Sequence, residues 1–396
     1  MRMYDYIKKL YYHLNYHIRY VGNGATGFSK GRIKGKKQPE TTGSLRFCLW
    51  ENRMRRVKRL QSCFEQNGAQ FEGYYLRRKS DKHWQWYCND GKWHGLKTIV
   101  TNEGLKQKCI RPKEKLDFAK CGIARGTVVV ADARWKHADT EEEMNCGWHI
   151  YRNRLMCHAL GVSESGKTYQ NTEAVFEQSY KKGYRYYEVD VAVTEDDKMV
   201  CCHGWSQKNC QVCGMEYRPE FEHMTYELFM QQKVDGNPVM DASGLKDLME
   251  KYPDTVFEID LHKGNTRRKI ELLVEAMEQR KDLLDRLLIQ AQGRAAFKEI
   301  DATHKFLNVQ IIAGQEWLDK IEGMISFALE HGICAIALRK DLARKEQVQM
   351  IRAAGLYVLA YTIPEDAALS AELLGRGVST ICTDQVTYEA LEMTIK

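Results

Sequence analysis

The sequence lacks any run approaching the ~20 consecutive apolar residues that a helix needs to cross a bilayer. Its opening, MRMYDYIKKLYYHLNYHIRY, has no apolar block followed by small residues, so it does not read as a secretory leader. The expectation is a cytoplasmic protein. A regular cysteine framework is also missing. The thirteen cysteines are odd in number and irregularly spaced, so free thiols are expected. Cys210-x-x-Cys213 stands alone, without the two further ligands of matched spacing that structural zinc needs. No GxxxxGK[ST] follows a strand, and no GxGxxG follows the first strand of the C-terminal part. A phosphate-binding loop and a dinucleotide-binding doubly wound sheet are therefore disfavoured.

What is present is a division of charge. Residues 1–140 hold 30 Lys and Arg against 12 Asp and Glu, and the remainder holds 30 against 41. The first part should face something anionic, such as a phospholipid headgroup, nucleic acid or a charged substrate. Tyr4, Ile7, Tyr11, Leu14 and Ile18 are spaced as on one helix face, with Lys8, Lys9 and Arg19 among them. That pattern predicts an amphipathic helix, either packed on its own domain or lying on a membrane surface. A Gly- and Lys-rich stretch to Ser44 reads as a linker, and Arg53 to Arg59 as a basic cluster on a helix. His83 to Gly95 reads as a hairpin turning at Asn89-Asp90-Gly91, with Trp84 and Trp86 alternating. Aromatics interleaved with basic residues can bind single-stranded nucleic acid, but a solvated face over a small core is the plainer reading. A basic α+β N-terminal region, residues 1–145, is expected.

From Arg154 onward, nearly continuous apolar β-runs alternate with helical runs. Such runs suit parallel strands buried on both faces. With KMVCCH taken as a continuation of the second unit, eight βα units fill about 240 residues, the size of a (β/α)₈ TIM barrel. An α/β domain over residues 150–396 follows.

Barrel active sites sit at the C-terminal strand ends. His158 ends the first run, and Glu188 and Asp190 share a face of the second. His203 ends KMVCCH, and Asp260 and His262 end the third strand, with Glu258 on the same face as Asp260. Carboxylates so close together repel unless a cation or proton intervenes. A hard divalent ion, Mg²⁺ or Ca²⁺, resolves this with oxygen ligands. The histidines then remain for proton transfer, a combination suited to displacement at a phosphodiester.

These motifs resemble the glycerophosphodiester phosphodiesterase family. The matching residues are His158-Ala-Leu-Gly161, Tyr169-Gln-Asn171-Thr172-Glu173-Ala174, Glu188-Val-Asp190, Thr194-Glu-Asp196 and His203. Tyr252-Pro253-Asp254 with Phe257-Glu-Ile-Asp260, and the closing Gly377-Val378 with Thr383-Asp384, extend the likeness over roughly 156–390. The resemblance implies a cation held by Glu188, Asp190 and Asp260, with Glu258 in reserve, and His158 and His203 as the acid–base pair. Asn171, His262 and Trp205 are the candidates for contact with substrate or its phosphate. The implied substrate is a small glycerophosphodiester or a lipid headgroup, with the neighbouring glycerol hydroxyl attacking first through a cyclic phosphate.

Departures accompany the likeness. Ala159 stands for the family's Arg, which puts the chain with a His-Ala-x-Gly subgroup. Gln170 stands for a Glu, Gly204 for an Asp and His262 for a Lys. A catalytically retired barrel serving as a scaffold, and a related lyase that stops at the cyclic phosphate, are the alternatives. The polar insertion Ser206–Asp235 is expected to act as a lid or specificity loop.

Overall fold

The structure is a computed structural model. It describes residues 12–137, 143–144 and 153–395, apart from 24, 26, 30–33, 38–46, 66–68, 263 and 315–319. The chain divides into two compact units. One comprises Met1–Trp148 with Ile321–Cys334 and Gln349–Leu356; the other comprises His149–Lys320, Ala335–Val348 and Tyr357–Lys396.

The described residues of the N-terminal region lie mostly in strands, with a short helix at Leu96–Thr101. Tyr16–Val21 lies between Cys48–Met54, to which it is antiparallel, and Val128–His137, to which it is parallel. The helix expected over the first twenty residues is therefore corrected from Tyr16 onward, and residues 1–11 lie outside the described residues. The physical reason is burial: Ile18 and Tyr20 pack into one core with Leu49, Tyr74, Leu76 and Trp135, while Val21 is buried against Cys48 and Val130. A strand sandwiched between neighbours satisfies its backbone and buries both faces, which overrides a helical spacing of apolar residues. The basic cluster is corrected in the same way, since it falls on strands Cys48–Met54 and Val57–Arg59. The hairpin is present, with His83–Tyr87 antiparallel to Trp93–His94. Across the sheet, Arg77 grips Asp132 with two hydrogen bonds of 2.6 and 3.2 Å, so this buried pair is mutually neutralised.

The C-terminal region is a closed barrel of eight parallel strands. We number them β1 (Leu155–Cys157), β2 (Tyr186–Val193), β3 (Val256–Asp260), β4 (Leu287–Ala291), β5 (Asn308–Ala313), β6 (Ala335–Arg339), β7 (Tyr357–Ile363) and β8 (Thr380–Thr383). Each pairs with the next, and β1 pairs with both β8 and β2, which leaves no free edge. Most strand positions are fully buried, as the unbroken apolar runs require. Met199–Cys201 folds back antiparallel on β2 as an extension of the second unit.

The insertion after His203 is folded rather than an extended loop. Ser206 caps the helix Gln207–Cys213 by accepting from Asn209 N–H, and Gly214 ends it at a φ of 83°, where glycine is least strained. Thr225 caps Tyr226–Met230 in the same manner. Cys202, Cys210, Cys213, Phe221, Met224 and Phe229 form a core beneath these turns. Burial pushes the Cys210 thiol up to about 11, so Cys210 and Cys213 sit there as packed apolar groups.

Candidate active site

Strand register builds the centre of the site. β2 and β3 run parallel with Glu188 opposite Glu258 and Asp190 opposite Asp260. Residues two apart on a strand share a face, so four carboxylates form a two-by-two grid across neighbouring strands. Ligand oxygens of Glu188, Asp190 and Asp260 all lie within 4.8 Å of one another. Glu258 lies deeper and its Oε2 is buried without a hydrogen-bond partner.

The surrounding loops hold these groups in place. The Ala159 N–H donates to Glu188 Oε2 at 2.7 Å. Asn171 uses both ends of its amide on Asp190: its Nδ2 donates to Oδ2 at 2.9 Å, and its Oδ1 accepts from the Asp190 N–H at 3.1 Å. Asn171 is buried, with both ends of its amide engaged by Asp190. The His262 N–H and the Gln292 side chain donate to Asp260 Oδ1 at 2.7 and 3.2 Å. Ala159, Leu160, Tyr169, Asn171 and His262 all adopt positive φ, between 45° and 64°. A left-handed conformation costs a non-glycine residue roughly 1–2 kcal/mol. Its concentration around one barrel mouth marks loops shaped for a task rather than for ease of folding.

Three histidines stand over the carboxylates. His158 sits on the turn after β1, with its Nδ1 2.7 Å from Asp384 Oδ1 and its Nε2 3.9 Å from Glu188 Oε2. Asp384, which follows β8 at the end of the closing Thr383-Asp384 motif, is the partner that fixes the His158 ring. His203 follows the strand Met199–Cys201. The Tyr169 ring stands edge-on between them, 4.7 Å from His158 and 4.6 Å from His203. His262 lies edge-on to His203 at 4.5 Å, with its Nε2 3.1 Å from Asp190 Oδ1.

The electrostatics divide these groups. Burial pushes Glu188 well above the usual carboxylate range, and repulsion from Asp190, Asp260 and Glu258 adds to it. Glu258 is raised in the same way, by burial and then by Asp260. Burial also opposes ionisation of Asp190, but contact with His262 and the nearby His158 and His203 outweigh it and lower its pKa. For His158, burial is outweighed by the Asp384 hydrogen bond and the surrounding carboxylates, and its pKa rises. For His203, burial prevails and its pKa falls. Burial lifts the Tyr169 phenol to about 12, so its hydroxyl keeps its proton.

Beside the grid opens a groove of about 730 Å³, lined by His203, Trp205, Tyr217, Phe221, His262 and Lys269 among others. Trp205 lines this groove next to His203. A sequence profile of the Glycerophosphoryl diester phosphodiesterase family matches residues 161–387. The chain belongs to this family. That makes it a phosphodiesterase, built on the barrel the family shares. Solved structures agree on the fold. A phosphodiesterase from Oleispira antarctica, in complex with the product sn-glycerol-3-phosphate, is 18% identical with a TM-score of 0.50, matching 61% of this chain and 96% of that one. A Silicibacter pomeroyi protein assigned as a glycerophosphoryl diester phosphodiesterase is 18% identical with a TM-score of 0.51, over 61% and 93%. One from Agrobacterium tumefaciens, assigned alike, is 18% identical with a TM-score of 0.50, over 61% and 97%. No curated protein matches the chain.

Proposed function

We propose that residues 150–396 form a metal-dependent phosphodiesterase domain that hydrolyses glycerophosphodiester-type substrates by acid–base catalysis between His158 and His203. The carrying observation is the carboxylate grid at one barrel mouth with those two histidines beside it. The donors fit a hard cation: they are all oxygens, they converge within 4.8 Å, and the buried Glu258 Oε2 lacks a hydrogen-bond partner. Glu188, Asp190 and Asp260 would hold Mg²⁺ or Ca²⁺, with Glu258 in reserve. Bound there, the cation supplies the positive charge that offsets the carboxylates and stabilises negative charge on phosphoryl oxygens.

The chain's own groups handle the protons. His203, whose lowered pKa keeps it neutral, accepts the proton of the glycerol hydroxyl next to the phosphate. The freed oxygen forms a bond to phosphorus as the bond to the departing alcohol breaks. His158, kept charged by Asp384, donates a proton to the leaving oxygen. Water then opens the cyclic phosphate with the two roles exchanged. Asn171 holds Asp190 in position, and Trp205 and His262 face the substrate from the groove.

The substrate would be a small phosphodiester or a lipid headgroup. The basic residues 1–145 would form a separate region that attaches peripherally to anionic membrane or gathers an anionic substrate, in a cytoplasmic protein. Among the described residues, no helix is long and apolar enough to cross a membrane.

The test is ³¹P NMR of a panel of glycerophosphodiesters and lysophospholipids incubated with Mg²⁺, Ca²⁺ or chelator. Glycerol phosphate formed only with metal supports the hydrolase. A cyclic phosphate that accumulates to completion would convert the assignment to a lyase. The absence of both turnover of any member and metal binding would favour the retired barrel, for which Ala159 in place of the family's Arg speaks; metal binding without turnover would point to an unusual polymer substrate.

A further inference from the structure

The all-oxygen trio does not account for His262. Its Nδ1 lies 3.6 Å from Asp260 Oδ2 and its Nε2 3.1 Å from Asp190 Oδ1. At that distance Nε2 and the Asp190 oxygen can share a proton or, with the ring proton on Nδ1, a cation. The His203 ring approaches from the other side, edge-on at 4.5 Å. One donor atom each from Asp190, His203 and His262 falls within 4.8 Å of the others.

A carboxylate that holds one imidazole nitrogen while the other faces the ion is the usual orientation of a histidine that binds metal. Imidazole and carboxylate together suit zinc and its neighbours, whereas Mg²⁺ and Ca²⁺ prefer oxygen throughout. The charge is in keeping. Glu188, Asp190, Glu258, Asp260 and Asp384 surround this mouth, carrying more potential negative charge than one divalent ion offsets.

We propose that Asp190, His203 and His262 form a second cation site, selective for a nitrogen-accepting ion such as Zn²⁺, whose occupation arrests the enzyme. The arrest rests on the function proposed above. A His203 nitrogen whose lone pair is shared with an ion cannot take up the substrate's proton. Zinc and magnesium would then act oppositely on one barrel mouth, with Asp190 common to both positions.

The experiment uses the full chain, stripped with chelator and then saturated with Mg²⁺. Co²⁺ serves as the spectroscopic stand-in for Zn²⁺. One Co²⁺ per chain should bind with visible d–d absorption, and Zn²⁺ should displace it. His262→Gln and, independently, His203→Asn should each weaken Co²⁺ binding about tenfold or more. Each variant's thermal stabilisation by Mg²⁺ should persist, which reports that the barrel is folded and the oxygen site intact. Zn²⁺ should inhibit wild-type turnover over the concentration range in which it displaces Co²⁺. Equal Co²⁺ affinity in wild type and both folded variants would overturn the site. So would a sulfur-to-cobalt charge-transfer band, which would put the ion on thiols. Undiminished turnover with the cobalt site filled would overturn the arrest. If no turnover exists under any condition, the catalytic reading fails and with it the arrest, while the cobalt spectrum still decides the site.

Discussion

His158 and Asp384 are 226 residues apart in sequence and 2.7 Å apart in space. Closure of the barrel, which sets β1 beside β8, brings them together. Asp384 raises the His158 pKa, so Asp384→Asn should lower it. A histidine that must be protonated to act governs the alkaline limb of the pH profile, and that limb should move to lower pH. Turnover should also fall by about 10–100-fold, the usual effect of losing an orienting partner. A pH series of kcat/KM checks both. The buried Glu188 and Glu258 give a second expectation. Their folded pKa values lie well above the unfolded ones, so the folded state holds more protons between the two. Stability in chelator should be full below about pH 4.3, the unfolded value, and fall as pH rises toward the folded values. Mg²⁺ or Ca²⁺ should remove much of that fall, and Tm measured from pH 5 to 8 with and without metal reads it. The carboxylates and histidines were legible in the sequence because they end apolar runs or share a strand face within them. Asp384 was visible only as part of a weak motif, and Tyr169 only as a motif letter, because their roles come from distant loops meeting.

Whole elements were legible to differing degrees. The barrel strands are buried on both faces, and an unbroken apolar run announces that directly. The Tyr16–Val21 strand misled because its apolar residues also fit a helical spacing, and its choice of structure is made by partners at 48–54 and 128–137. The insertion read as a polar loop because its core is small and its buried residues are scattered over short turns. Its contribution to the groove yields an expectation for substrate choice. Trp205 and Tyr217 present aromatic surface beside His203, where the glycerol side of the diester would lie. Trp205→Ala should alter kcat/KM unequally across diesters that differ only in the group on that side. Full burial of a large side chain is worth roughly 1.5–3 kcal/mol, so changes of about 10–100-fold are expected where that group is bulky and smaller ones where it is compact. Equal losses across the series would remove the groove from specificity.

Across the whole chain, charge is the feature most easily read and least explained by the fold. The excess of basic residues lies in 1–140, away from the acidic barrel mouth in sequence. Arg55 and Arg59 are exposed on and beside the strand Val57–Arg59. Removing residues 1–40 would take away a central strand, so charge reversal is the cleaner probe of membrane contact. Arg55→Glu with Arg59→Glu should reduce co-sedimentation with phosphatidylserine vesicles. Binding of the unaltered chain should weaken as salt shortens the screening length from about 10 Å at 0.1 M to about 3 Å at 1 M. Unchanged sedimentation would refute this attachment and leave substrate gathering as the use of the charge. The central claim concerns the barrel, and one comparison tests it most directly. Release of glycerol phosphate from glycerophosphodiesters is measured for the unaltered protein, His158→Ala and His203→Ala, with saturating Mg²⁺ or Ca²⁺ and with chelator. The account predicts metal-dependent turnover that falls by about 10²–10⁴-fold in each variant while metal-induced thermal stabilisation is retained. Turnover that survives in either variant, or that ignores the chelator, would contradict it.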